Sequence, residues 1–133
     1  MTNLSTPNHE QVSLLLNRLE ILTDAEKEKL QQDIAKLLQD STWKSKMANA
    51  WHAAGNAARQ GEREAPWVLA RESARNLGGQ SPLFPAREAA RASGALVVRD
   101  LIEIKDFEIL IAPCRFLLEE LGIVEPLEEQ ETI

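Results

Sequence analysis

With a single cysteine, Cys114, the chain of 133 residues can close no internal disulfide, and with two histidines besides it cannot supply the four Cys/His ligands of a structural zinc site. Tyrosine is absent, and His9 and His52 are the only imidazoles, so groups that titrate near neutral pH are scarce. No Glu-x-x-His pairing of the di-iron kind occurs, and Gly78-Gly79 lacks the lysine and the preceding strand of a phosphate-binding loop. Six glycines and six prolines are too few for a low-complexity chain. No apolar run approaches the ~20 residues of a membrane-spanning helix. The first residues lack the basic-then-apolar order of a secretory signal. These absences predict a cytoplasmic protein with no membrane span, no metal, no cofactor and no catalytic residue.

What remains is an ordinary globular composition, 44% hydrophobic and 27% charged, long enough for one core. Its apolar positions recur at helical spacing. Val12, Leu15, Leu16, Leu19 and Leu22 share one face of a first helix. A capping box, Thr23-Asp24-Ala25-Glu26, opens a second, whose inward face is Leu30, Ile34, Leu37 and Leu38. The short link makes the two an antiparallel hairpin. A third helix is expected over Trp43–Gln60, capped by Ser41 or Thr42 and stopped by Gly61, with Trp43, Met47, Ala50, Trp51, Ala54 and Ala58 inward. Pro66 suits the first turn of a fourth, which points Trp67, Ala70, Ala74 and Leu77 inward and ends at Gly78-Gly79.

After a loop at 80–85, a fifth helix should run over 86–103 with Ala89, Ala90, Ser93, Val97 and Leu101 as its stripe. From Asp106, a plausible N-cap, Phe107, Leu110, Cys114, Leu117 and Leu121 repeat as a heptad seam that Pro113 must kink or divide. The expected architecture is all-α: a compact bundle of five to six helices in a single domain, with an N-terminal helical hairpin and a Pro-interrupted C-terminal helix. The hairpin occupies 1–40, an Ala-rich helical core 41–121 and an acidic tail 122–133. Fourteen of seventeen alanines fall between Ala48 and Ala95, where small faces permit close helix contact.

Charge is unevenly placed. Residues 1–42 carry four basic and seven acidic side chains, 43–99 nine and four, and 100–133 two and ten. Arginine dominates the basic centre. Arg59, Arg63, Arg71, Arg75, Arg87 and Arg91 stand in pairs four residues apart and form a candidate anion-binding set, because the guanidinium fork suits phosphate and carboxylate. Salt-bridge pairing with Glu62, Glu72, Glu88 and Glu103, or with the acidic C-terminal region, is the competing account, and it is favoured here. Asn49, His52 and Asn56 form a polar stripe on the third helix, which a general base in a cleft could use and a solvated face explains as well.

The functional expectation is binding of an unidentified protein partner by a homodimer, with Val12, Leu15, Leu16 and Leu19 as the interface. The alternative is that the arginine face binds nucleic acid or a phosphorylated small molecule, a reading that the overall charge of −6 opposes.

Overall fold

The computed structural model describes residues 8–79 and 81–126, and among them there is no strand. The helices are α1 His9–Glu20, α2 Asp24–Leu38, α3 Trp43–Gln60, α4 Glu64–Asn76, α5 Ala86–Val97, α6 Ile104–Ile111 and α7 Arg115–Glu120, with a 3-10 turn at Ala112–Cys114 between the last two. Taking α6, the 3-10 turn and α7 as one helix divided at Pro113, the chain is a six-helix bundle.

Local chemistry accounts for most of the boundaries. The Thr23 hydroxyl accepts from the Glu26 amide while the Glu26 carboxylate accepts from the Thr23 amide, both at 3.1 Å, which satisfies two donors that the first turn of α2 would otherwise strand. Gly122 (φ +74°) terminates α7, and the Ile123 amide returns to the Leu118 carbonyl at 2.9 Å. At the end of α3 the left-handed position falls on Glu62 (φ +59°) and not on Gly61. Gly61 instead lies under Leu101: a Cβ there would sit 2.6 Å from Leu101 Cδ1, so the exposed leucine tip would have to move aside.

The core is organised around α5. Every residue from Ala92 to Val97 is buried, as are Ala89 and Ala90, and α5 touches α1, α3, α4, α6 and the 3-10 turn. Contact from so many directions confines the polar side chains of α5 to Arg87, Glu88, Arg91 and the buried Ser93, and a small-residue face lets its neighbours approach closely. Larger side chains then fill the space between helices: Leu15 and Leu19 from α1, Leu30 from α2, Leu110 and Ile111 from α6, and Leu117 and Leu118 from α7.

Several expectations need correction. Val12, Leu15 and Leu19 lie within the core of one chain, and Leu16 packs partly buried against it, so that stripe is not a free interface. The heptad seam is likewise internal, with Phe107, Leu110, Cys114 and Leu117 buried. Within the N-terminal hairpin the two helices have different neighbours: α1 packs on α5, α4 and α7, and α2 packs on the 3-10 turn and α3. Arg18 links the pair by donating to Glu26 on α2, and it also reaches Glu120 on α7 at 2.6 Å.

Helix α5 stops at Val97, six residues short of expectation. Its last carbonyl accepts from Arg63 Nη1 at 3.0 Å and from Asn8 Nδ2 at 3.5 Å, and the same two side chains hold Asp100. Capture of the carbonyl and of Asp100 favours turning over another helical turn. Leu101 is consequently 40% exposed instead of inward. Glu103, in extended conformation, becomes the N-cap of α6, and Asp106 falls in its first turn. Ile123 and Val124 are buried, so the expected acidic tail packs as far as residue 124. Residues 127–133 lie outside the described residues.

These ion pairs make stability depend on acid. The Arg18 guanidinium, with the Thr23 amide second, holds the Glu26 carboxyl at about 2. Arg63 holds that of Asp100 at about 2. Both folded-state values lie below those of the unfolded chain, so this stabilisation is complete above about pH 5 and is lost as pH falls toward 2. The thermal midpoint followed by circular dichroism should drop steadily over that interval, and Asp100→Asn should flatten part of the drop.

Candidate docking groove

The six candidate arginines do not form one face. Arg63 is structural, since it binds Asp100 and the end of α5. Arg59 is exposed and donates to Asn56 Oδ1. Arg75 is exposed. The Arg71 guanidinium stacks 4.6 Å from the Trp67 ring centroid and 5.5 Å from that of Trp51. Arg87 and Arg91, on successive turns of α5, line a shared cavity.

Of the salt-bridge account favoured on sequence, the local pairings do not form among the described residues, whereas one pairing with the acidic C-terminal region does. Among the described residues only Arg63 of the six forms an ion pair, and its partner is Asp100, 37 positions away. Glu103 pairs with Lys105, while Glu108 and Glu119 pair with Arg115. Asp100, Glu103, Glu108, Glu119 and Glu120 are thus engaged with other cations, and the cations of α5 have no carboxylate within ion-pair distance among the described residues.

The cavity, about 510 Å3, opens between α2, α3 and α5 and is floored by Pro113. Its apolar wall is Ile34, Leu37 and Leu38 of α2 with Trp43 and Met47 of α3. Of the face expected to be the inward side of α2 only Leu30 is buried, and Leu38 is 50% exposed. Among the described residues Ile34, Leu37 and Leu38 of α2 border this cavity. The opposite rim carries Lys44, Arg87 and Arg91 against one acid, Glu88. Arg91 is partly buried, and loss of solvent pushes its guanidinium below the ordinary arginine value, offset in part by Glu88. A desolvated cation at the edge of an apolar surface is costly until an anion meets it. Sequence reasoning found Arg87 and Arg91 but missed the groove, because its walls come from helices far apart in the chain.

The polar stripe does not assemble a site. His52 and Asn49 are exposed, and Asn56 lines a different, open cavity of about 560 Å3 beside Gln60, Leu101 and Asp106. A general base in a cleft between the third and fifth helices is therefore not what His52 provides. Cys114 is fully buried, and burial pushes its thiol up to about 12, a value at which the nucleophilic thiolate is negligible at neutral pH. Among the described residues no three His, Cys, Asp or Glu side chains gather to hold a metal ion, and no helix is long and apolar enough to cross a membrane.

No protein-family model, no curated protein and no solved structure matches this chain, so the groove stands on its geometry alone.

Proposed function

We propose that this chain is a cytoplasmic protein-binding module whose groove between α2, α3 and α5 accepts an acidic, amphipathic helical segment of another protein. The observation that carries the reading is the partly buried Arg91, without an ion-pair partner, at the rim of an apolar trough that Arg87 and Lys44 also border. A helix with an apolar stripe would cover Leu37, Leu38 and Trp43, and its flanking carboxylates would meet the three cations. Phosphate-bearing ligands suit the cations but leave the apolar wall unfilled, and the net charge of −6 repels polyanions at long range.

The buried Cys114 agrees with a reducing compartment. The α1 stripe lines the core of a single chain, which supports a reading in which the groove acts without a second copy.

The test uses a synthetic acidic peptide of about 12 residues, with leucines at helical spacing and flanking glutamates, alongside its lysine twin and a single-stranded RNA. Calorimetry at low salt should show saturable binding of the acidic peptide alone, and Arg91→Glu should weaken it at least about tenfold. Binding of the RNA in preference to the acidic peptide, or of neither, overturns the reading.

A further inference from the structure

Beyond the groove, another cation, Arg71, stands near the next turn of α5. Trp51 lies one helical turn past Met47 on α3, and Gly94 lies three residues past Arg91 on α5. A Cβ at Gly94 would sit 3.1 Å from Trp51 Cη2, 2.9 Å from Trp67 Nε1 and 3.1 Å from Arg71 Cγ. Trp51, Trp67 and Arg71 therefore converge on the turn of α5 that follows Arg91. The two indoles are 5.2 Å apart and inclined at 38°, and Arg71 lies against both.

Three features of this cluster call for a ligand. Arg71 is partly buried with no carboxylate within ion-pair distance among the described residues. Its Nε and the Nε1 of Trp67 are both buried without a hydrogen-bond partner. Stacking on the rings fixes where the guanidinium sits, so its fork is already oriented before an anion arrives.

From this arrangement we infer that Arg71 is a second anchoring point for the helical partner, taking a carboxylate about two turns beyond the one that meets Arg87. The inference rests on the proposed groove, and it specifies the partner more narrowly. Arg87 to Gly94 spans seven residues, roughly 10 Å along α5 at the helical rise of 1.5 Å per residue. A partner helix lying along this track would carry acidic side chains at i, i+4 and i+7 or i+8, facing Arg87, Arg91 and Arg71 in turn. These positions span eight or nine residues of the partner, about two and a half turns.

Two acidic amphipathic peptides decide the matter, one of about 12 residues whose last glutamate faces Arg91 and one of about 20 that continues past it to Arg71. The wild-type chain should bind the longer about tenfold more tightly, and Arg71→Gln should remove that gain while leaving the shorter unaffected. Because Arg71→Gln could disturb packing, the matching change is also made in the ligand. Replacing the one peptide glutamate placed opposite Arg71 by glutamine should cost the same factor with wild-type protein and nothing further with Arg71→Gln. Equal affinity of the two peptides, or equal weakening of both by Arg71→Gln, overturns this inference and leaves the groove reading standing. Failure of both peptides to bind overturns the two together.

Discussion

Replacing Leu15 and Leu19 by aspartate should leave the chain unfolded at room temperature. Both side chains are almost wholly excluded from solvent, at 0% and 2% exposure. Burying a leucine contributes roughly 1.5–3 kcal/mol, and a carboxylate placed there costs several kcal/mol more in desolvation, or its neutralisation at a raised pKa. The two changes together match the roughly 5–15 kcal/mol that holds a typical domain folded. Circular dichroism should show loss of the helical signal, and size-exclusion chromatography an expanded or aggregated species. Leu14→Asp is the control: Leu14 is 44% exposed on the same helix, and this change should leave the helical signal intact. A folded, soluble monomer from the double variant would instead mean that α1 detaches from the core and serves as an interface.

The second large effect belongs to Gly94. A branched side chain there meets two tryptophans and the stem of Arg71 within about 3 Å, on the seam where α4 and α5 pack most extensively. Overpacking of this kind costs typically 1–3 kcal/mol and more where rings cannot turn aside. Gly94→Val should lower stability by about 3 kcal/mol in urea denaturation, and Gly94→Ala by less, because a single methyl asks each neighbour to move only a few tenths of an ångström. The same variant should change the tryptophan emission, since both indoles touch the site. Unchanged stability with unchanged emission would mean that the seam is looser than its distances imply.

Much of the bundle was legible in the sequence because the signals are local. The Thr23–Glu26 capping box, the full span of α3 and the break at Pro113 each depend on residues within a few positions of one another. Periodicity showed which face of α1 is apolar. It could not show whether that face meets the same chain or another, because the identity of the covering helix is a property of the tertiary fold. The end of α5 was illegible for a similar reason: Arg63 and Asn8, distant in sequence, take the Val97 carbonyl and Asp100. The arginines made the lesson sharper. Local rules pair Glu88 with Arg91 at i, i+3, yet the single ion pair formed by the six joins positions 63 and 100. The groove followed the same pattern, with two of its cations visible as a repeat on α5 and its apolar wall hidden in what looked like the inward face of α2.

The link from Arg18 to Glu120 spans 102 positions. At roughly 5–20 residues per second, translation takes about 5 to 20 s to supply the second partner after the first. For most of that interval the leucines of α1 have neither α5 nor α7 to cover them, and their greasy surface stays exposed. Completion of the core is therefore a late, long-distance closure, slow relative to helix formation. The nascent chain is an obvious client for a chaperone that shields α1 until α5 and α7 have been made.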